Sequence, residues 1–200
     1  TIIESFLAND TRVLLLVGET GIGKSTFLQH KVSAIAKMQS LRIQQGDFPS
    51  WLPIYYSLNS VRREPLAQAL VRFVQDSGWR DLALLTPQKV FKAQGSSWLV
   101  CLDNLDEFYA HEPDLNEIET FLQQCSEQDS RLKVVLATRP DIPRAPFWQR
   151  QAMIKMERWN HEQIWDYFTF HLPNQAAPSW MERDEVLELA SIPVWLKGII

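Results

Sequence analysis

The sequence predicts an α/β fold in which a mainly parallel five-stranded sheet is flanked by helices and followed by the start of a small helical subdomain. Three observations support this fold class. Short apolar runs without polar alternation recur along the chain, as expected of strands buried on both faces. Segments with one apolar helical face separate these runs, and only helical patterns follow residue 159. We therefore expect a core domain at residues 1–158 and a helical subdomain at residues 159–200.

The composition of the 200 residues is that of a globular chain with a substantial core, since 46% are hydrophobic and 22% are charged. Apolar runs reach only five residues, whereas a membrane span needs about 20. A net charge of −4 argues against a surface that coats nucleic acid. Cys101 and Cys125 lack Cys or His neighbours, so we expect buried thiols in a reducing, cytoplasmic compartment. The sequence begins without Met and stops inside an apolar run, so we expect it to be part of a longer protein.

The first predicted strand covers residues 11–17, a β-rich apolar run that leads into a glycine-rich segment. A helix follows that segment, because Leu28, Val32 and Ile35 recur at the i, i+4, i+7 spacing of one helical face. The second strand is predicted at residues 51–58.

Two helices are predicted before the third strand. The first begins at Pro65, because proline suits the first helical position and apolar residues follow at helical spacing. Its apolar face consists of Leu66, Leu70, Phe73 and Val74. The second, shorter helix begins at residues 86–87, where threonine as a cap precedes a proline. The third strand covers residues 98–102, all of which are apolar.

The remaining elements continue the alternation of helix and strand. A helix with its apolar face at Leu115, Ile118, Leu122 and Cys125 precedes a fourth strand at residues 133–138. A weaker fifth strand is predicted at residues 152–157. Asn160 and Gln163 form a capping pair for the next helix. Ile164, Tyr167, Phe168 and His171 fall on one face of that helix.

Residues 18–25 match the phosphate-binding loop pattern Gly-x-x-x-x-Gly-Lys-Ser in full. Glycines allow the backbone to curl so that its N–H groups converge on phosphate oxygens, and the next helix directs its N-terminal dipole at the same anion. Lys24 supplies a positive charge for the β- and γ-phosphates, and the Ser25 hydroxyl can bind Mg²⁺. The expected nucleotide-binding residues are Gly18, Glu19, Thr20, Gly21, Ile22, Gly23, Lys24, Ser25 and Thr26.

An acidic motif follows the third strand. Asp103 is predicted to hold Mg²⁺ through its water shell, together with Ser25. Glu107 can orient or deprotonate the attacking water, with Asp106 assisting. Arg139 can sense or neutralise the γ-phosphate, since ligands bind at the carboxyl ends of parallel strands. Structural alternatives stay open, because acidic residues often cap helices and an arginine before a proline is often only solvated.

In their order these motifs resemble those of the NACHT family of P-loop NTPases, within the STAND class of signal-transduction ATPases. The phosphate loop, or Walker A motif, lies within residues 15–28, which read Leu-Leu-Val-Gly-Glu-Thr-Gly-Ile-Gly-Lys-Ser-Thr-Phe-Leu. Residues 103–107 have the Asp-x-x-Asp-Glu ending that the Walker B motif shows in this family. Residues 137–140, Ala-Thr-Arg-Pro, are similar to its sensor motif. Residues 53–58 are similar to its second strand and residues 192–196 to its late proline motif.

The resemblance implies a nucleotide switch in a larger signalling or defence protein. It implies ATP or ADP with Mg²⁺ as cofactors, slow hydrolysis, nucleotide-dependent homo-oligomers, and flanking sensor and effector domains. Pro193 is implied to lie against the adenine, and the preference for adenine over guanine rests on the resemblance alone. Asn104 departs from the family, which usually has a small residue after the magnesium-site aspartate.

Two other functions stay open. A continuously cycling ATPase of the AAA+ type would use Glu107 and Arg139 equally well. A scaffold that nucleotide stabilises without hydrolysis is the second alternative, and substitution of Glu107 would then change little beyond a small binding effect. The rate of ATP turnover distinguishes a switch from a cycling ATPase.

Overall fold

A computed structural model describes most of the chain. The described residues are 2–60, 66–76, 97–111, 116–127, 132–141, 146–173 and 178–194. The helix predicted at residues 86–87 lies outside them, as does Leu115 of a later predicted helix.

The five strands form one parallel sheet in the order β2-β3-β4-β1-β5. They are β1 (Val13–Val17), β2 (Trp51–Ser57), β3 (Ser97–Asp103), β4 (Leu132–Thr138) and β5 (Ala152–Lys155). The three central strands β3, β4 and β1 are buried almost throughout, which explains why their sequences lack polar alternation. The predicted fold class is therefore confirmed.

Eight α-helices are described. They are α1 (Ile2–Ala8), α2 (Lys24–Gln44), α3 (Leu66–Asp76), α4 (Leu105–His111), α5 (Asn116–Glu127), α6 (Pro146–Gln149), α7 (His161–His171) and α8 (Asp184–Ala190). Short 3₁₀ turns cover Leu58–Ser60 and Ser179–Glu182. None of the helices in the described part of the chain is both long enough and apolar enough to cross a membrane.

Helices cover both faces of the sheet, and the core has one cluster on each side. Side chains alternate between the faces along each strand, so Leu99 packs toward α1 and α2 whereas Val100 packs toward α3 and α5. On the first face, Leu28 and Ile35 of α2 are buried, as the helical spacing predicts. The helices pack on the two faces of the sheet and do not cover the carboxyl ends of its strands. The loops that follow the strands lie along this edge of the domain.

Some elements differ from expectation. Helix α1 has no predicted counterpart, although its Ile3 and Phe6 are buried in the core. Seven residues with only two turns give too short a repeat for helical periodicity to be recognised. Phe73 was expected on the buried face of α3 but is 39% exposed, because it lies beside edge strand β2, with its ring edge on Tyr56.

The described residues after 159 form a small helical cluster of their own. The capping box of Asn160 and Gln163 at the start of α7 is confirmed. The side-chain oxygen of each residue accepts a hydrogen bond from the backbone N–H of the other at 2.9 Å. Ile164 of α7 packs with Met181 and Ala190 in a core separate from the two sheet clusters. The division of the chain at residue 158 stays a prediction.

Candidate functional site

The loop between β1 and α2 crosses the carboxyl end of the sheet. Its first residue is tied to the neighbouring strand, since the Gly18 amide donates to the Thr138 carbonyl at 3.1 Å. Gly21 and Gly23 have φ angles of +79° and +101°, which side-chain-bearing residues rarely adopt. Gly23 is also the N-cap of α2, so two glycines allow the loop to curl and the chain to enter the helix.

Lys24 is the first residue of α2, and its ammonium group lies against the loop backbone. Its Nζ donates to the carbonyl oxygens of Gly18 at 2.6 Å and Glu19 at 2.9 Å. Burial lowers the pKa of Lys24, whereas the nearby carboxylates of Asp106 and Asp103 act to raise it. The carbonyl oxygens of Gly18 and Glu19 thus hold the Lys24 ammonium group beside the loop, where it could pair with an anion bound there.

Asp103 ends β3 and is only 1% exposed, yet both of its oxygens have hydrogen-bond donors. Oδ1 accepts from the Asn104 amide at 2.9 Å, and Oδ2 accepts from the Tyr55 hydroxyl at 2.6 Å. Burial raises the pKa of Tyr55 to about 12, and the bond to Asp103 adds to this effect. The hydroxyl therefore keeps its proton at neutral pH and acts as a donor.

Asp106 and Glu107 lie in the first turn of α4, where the helix dipole favours negative charge. The Arg139 Nε lies 2.7 Å from Asp106 Oδ2, and Arg139 Nη2 lies 4.0 Å from Glu107 Oε1. From the other side, the Asn59 side-chain amide donates to Glu107 Oε2 at 2.5 Å. The structure thus brings together the acidic pair and the arginine that were singled out from the sequence.

Lys24, Asp106, Glu107 and Arg139 line one cavity of about 220 Å³, which forms where β1, β3 and β4 end, whereas Asp103 is not among its lining residues. The three strands are neighbours in the sheet, so residues far apart in sequence converge there. The cavity is lined by Thr20, Gly21, Gly23, Lys24, Ser25, Thr26, Asn104, Asp106, Glu107, Arg139 and Val194. Pockets that enclose a whole small molecule measure roughly 300–1,000 Å³, so this volume suits a phosphate chain better than a complete nucleotide.

Ser25 and Asp103, the expected magnesium ligands, offer a hydroxyl and a carboxylate. Mg²⁺ prefers such oxygen donors and takes one or two of them from the protein, with the rest from water and substrate phosphates. Across the residues that the structure describes, no group of three or more His, Cys, Asp or Glu side chains is placed to hold a metal ion by itself. The donor set therefore fits a magnesium ion shared between the protein and a phosphate chain.

Some of the expected loop residues point away from the cavity. Ile22 is buried, and the Glu19 side chain is held by Arg158. Pro193 is not among the lining residues described, but its neighbour Val194 is. A Cβ on Gly21 would lie 2.4 Å from Val194 Cγ1, so the segment around Pro193 packs directly on the loop.

Sequence reasoning missed four side chains at or beside the site. Tyr55 and Asn59 reach the acidic motif from β2 and the turn after it, which only the pairing of β2 with β3 makes possible. Asn104 has a φ of +61° and donates from its side chain to Ser57 Oγ at 3.1 Å. The signal for Asn104 in the sequence was that it stands where a small residue is usual, directly after Asp103. The positive φ explains this choice, because asparagine tolerates such a φ better than other side-chain-bearing residues.

Arg158 is the fourth, and it connects the loop with the helical part of the chain. Its Nε and Nη2 both lie 2.9 Å from Glu19 Oε2, and its Nη1 lies 3.3 Å from Glu188 Oε1 on α8. The two carboxylates raise the pKa of Arg158, first through the bond to Glu19. No sequence pattern marks an arginine that links residues 139 and 30 positions away.

Comparison with known proteins identifies the sequence family. The family model described as NACHT domain matches residues 12–175, which include the loop, the acidic motif and Arg139. No curated protein is similar enough in sequence to match.

Solved structures share the fold at low sequence identity. AMPPCP-bound DnaA from Aquifex aeolicus has a TM-score of 0.58 at 14% identity, over 99% of this chain and 57% of that one. The ADP form of ORC2 from Aeropyrum pernix has a TM-score of 0.58 at 16% identity, over 86% of this chain and 49% of that one. Drosophila ORC bound to DNA gives 0.56 at 13% identity, over 94% and 48%. This chain thus spans about half the length of the structures it matches.

Proposed function

The chain belongs to the NACHT domain family of P-loop NTPases, and on that premise we propose that it binds ATP with Mg²⁺, hydrolyses it slowly and acts as a nucleotide switch in a larger signalling or defence protein. One observation carries the proposal: Lys24, Glu107 and Arg139 line one cavity although they follow three different strands. Phosphoryl transfer needs a cation at the phosphate loop, a carboxylate near the attacking water and a further cation at the terminal phosphate.

The phosphate chain is assigned to the loop. The backbone N–H groups of residues 18–26 and the N-terminus of α2 would surround it, and Lys24 would pair with its β- and γ-phosphates. Ser25 and Asp103 would hold Mg²⁺, which supplies charge neutralisation for the phosphate oxygens. We assign the adenine to the side of residues 192–194, with Pro193 against its ring, because this segment packs on Gly21 of the loop.

Glu107 is assigned to the attacking water. Its Oε2 accepts a hydrogen bond from Asn59, and its Oε1 has Arg139 Nη2 at 4.0 Å. At that distance Oε1 still has room to orient a water or to take its proton. Asp106 would assist indirectly, because it holds the guanidinium of Arg139 at the mouth of the same cavity. Arg139 would then contact the γ-phosphate and stabilise the charge that develops there.

The switch requires that the γ-phosphate changes how the core and the helical part are held together. Two contacts support this coupling: Val194 packs on Gly21, and Arg158 links Glu19 with Glu188 of α8. Both start from the phosphate loop and end in the helical residues. We therefore propose residues 1–158 as the nucleotide-binding core and residues 159–200 as a subdomain that moves relative to it.

The wider context follows from family resemblance. We propose nucleotide-dependent homo-oligomers, sensor and effector domains elsewhere in the parent chain, and a cytoplasmic location. DNA is not included among the partners, although Drosophila ORC was solved bound to it. A formal net charge of −4 supplies no excess of positive charge for a nucleic-acid backbone.

Nucleotide binding and turnover by variants of the full chain test this function. Lys24→Ala should abolish detectable ATP binding, whereas Lys37→Ala, an exposed lysine on the same helix, should bind like the wild type. Glu107→Gln should retain ATP and lower the hydrolysis rate by about 100-fold or more, the usual effect of losing a general base. Glu119→Gln makes the same chemical change outside the cavity lining and should leave the rate unchanged.

The rates also separate the alternatives. Release of about one ADP per chain followed by very slow turnover supports the switch. Fast steady-state turnover would instead establish a cycling ATPase of the AAA+ type. Binding without any hydrolysis, and with no effect of Glu107→Gln, would establish a nucleotide-stabilised scaffold. Retained ATP affinity in Lys24→Ala would contradict the phosphate-loop assignment itself.

A further inference from the structure

The Asp103 carboxylate receives one of its two hydrogen bonds from outside its own strand and loop. The donor to Oδ1 is the backbone amide of Asn104, the next residue in the chain, so its position follows from the chain itself. The donor to Oδ2 is the Tyr55 hydroxyl, which belongs to the neighbouring strand β2. At 2.6 Å this is a short O–H···O⁻ bond, and such charge-assisted bonds are roughly twice as strong as neutral ones.

The register of the sheet explains how Tyr55 reaches this carboxylate. In the parallel pairing of β2 with β3, Tyr55 lies opposite Cys101 and Ser57 lies opposite Asp103. Residues two apart share a face, so Tyr55 and Asp103 both point toward the side covered by α2. The long phenol side chain extends along that face and bridges the distance of two residues. Tyr56, by contrast, packs in the cluster on the other face.

Tyr55 also contacts the helix that follows the phosphate loop. Against the larger effect of burial, a hydrogen bond with the Gln29 side chain of α2 acts to lower the pKa of Tyr55, and Gln29 lies one helical turn after Ser25. The ring of Tyr55 packs on the cluster between α2 and the sheet. One side chain therefore contacts both the strand that ends in Asp103 and the helix that begins beside Ser25.

We propose that Tyr55 is a positioning residue of the magnesium site: its hydroxyl fixes the orientation of the Asp103 carboxylate and the spacing between Asp103 and Ser25. The inference rests on the proposed function, because Ser25 and Asp103 are assigned there to Mg²⁺. Outer-shell partners that orient a ligating carboxylate typically change metal affinity by 10–100-fold when they are removed. Neither Tyr55 nor Asp103 is among the lining residues of the cavity, whereas Asn104 beside Asp103 is. The hydroxyl of Tyr55 contacts Asp103 directly, so Tyr55 acts through that carboxylate.

Tyr55→Phe in the full chain is the decisive variant, because it removes the hydroxyl and keeps the ring that packs under α2. Nucleotide binding is measured with a fluorescent ATP analogue, first with a metal chelator and then during titration with Mg²⁺. Binding without metal should equal that of the wild type, which also shows that the variant is folded. The Mg²⁺ concentration that half-restores tight binding should rise about tenfold or more.

Tyr56→Phe is the matched control, since it removes the same atom from the adjacent residue on the opposite face of β2. It should titrate with Mg²⁺ like the wild type. Asp103→Ala should lose the Mg²⁺ dependence altogether. A Tyr55→Phe titration identical to that of the wild type would overturn the positioning role while leaving the proposed function intact. A wild-type chain whose nucleotide binding ignores Mg²⁺ would instead contradict the assignment of Ser25 and Asp103.

Substitution of Tyr55 with a smaller residue distinguishes positioning from packing. Tyr55→Leu keeps an apolar side chain but loses both the ring and the hydroxyl, so its thermal stability should fall. If the Mg²⁺ titration of Tyr55→Phe shifts while its thermal stability without ligand stays near that of the wild type, the effect belongs to the hydroxyl. An equal loss of nucleotide affinity with and without Mg²⁺ would indicate a merely structural role and overturn the proposal.

Discussion

The guanidinium of Arg139 forms an ion pair with the carboxylate of Asp106, with 2.7 Å between Nε and Oδ2. The Asp106 side chain is 19% exposed, whereas Arg139 is 42% exposed and lines the cavity. Arginine has five N–H donors in one plane, so Arg139 can keep Asp106 and still present donors to a phosphate. Its position is thus set within the protein by the carboxylate of Asp106.

Arg139→Ala should reduce the preference for ATP over ADP by about tenfold, because only ATP carries the γ-phosphate that we propose Arg139 contacts. The affinity for ADP should change little. Competition binding of the two nucleotides against a fluorescent analogue measures both values. Arg150→Ala, an exposed arginine outside the described cavity lining, is the control. An unchanged ATP/ADP ratio would show that Arg139 does not sense the γ-phosphate.

Arg158→Ala should speed the release of bound ADP a few-fold, because it removes the link between Glu19 of the loop and Glu188 of α8. All three side chains are well exposed, so the effect on thermal stability should be small. Stopped-flow chase of a fluorescent ADP measures the rate. Added salt should accelerate release from the wild type and not from the variant, since salt screens exposed charges.

The matched control for this link is Arg183→Ala, an exposed arginine that precedes α8. Equal release rates in the wild type and Arg158→Ala at low salt would mean that the ion pairs do not couple the loop with the helical residues.

Lys133→Met should lower the free energy of unfolding by about 1–3 kcal/mol, the usual cost of leaving buried polar groups without partners. Lys133 is only 3% exposed on β4, and its Nζ donates to the carbonyl oxygens of Phe6 and Asn9. Those carbonyls belong to the last turn of α1 and the residues after it, where a helix leaves acceptors unpaired. Methionine keeps most of the volume but donates nothing.

Urea unfolding measures this loss, and Lys155→Met on the exposed edge strand β5 is the control. Hydrogen exchange should also show that α1 opens more readily in Lys133→Met. A variant as stable as the wild type would mean that Lys133 does not hold α1 to the sheet.

Cys101 should resist alkylation in the folded chain. Burial raises the pKa of its thiol from 9.0 to about 12, with a further contribution from Asp103. In a Cys125→Ser background, which leaves one cysteine in the sequence, a thiol reagent at about pH 8 should react only after unfolding. Rapid reaction of the native protein would contradict this burial.

The same shift gives a dependence of stability on pH. Because the folded state raises the pKa of Cys101, its contribution to stability is complete below pH 9.0 and is lost as the pH rises toward 12. The free energy of unfolding should therefore fall over that range. Cys101→Ala in the same background should show a shallower fall, and identical slopes would contradict the assignment.

The phosphate loop and the strands around it could be predicted because their signals are local. A fully apolar run followed by Gly18, Gly23 and Lys24 at fixed spacing specifies a buried strand, a turn and a helix start within 15 residues. The capping box at Asn160 is equally local, since both of its partners lie within one turn. Domain boundaries, by contrast, depend on packing between elements, and the boundary at residue 158 stays a prediction.

Asn104 shows where local information was present but not decisive. The sequence marked it as unusual after Asp103, and the structure gives the reason as a φ of +61° that glycine or asparagine accepts. Its amide then donates to Asp103 while its side chain donates to Ser57. The sequence could not name this partner, because Ser57 is on a different strand.

The sequence by itself determined which chemical groups are available: a glycine-rich loop with a lysine, a carboxylate at the end of a buried strand, an acidic pair and an arginine after the next strand. Tertiary structure decided which of these meet and what holds them. The sheet order β2-β3-β4-β1-β5 places three strand ends around one cavity and brings Tyr55 and Asn59 to the acidic motif. Hydrophobic periodicity reports which face of an element is buried but not which strand lies beside it, so contacts across strands emerge only when the sheet is formed.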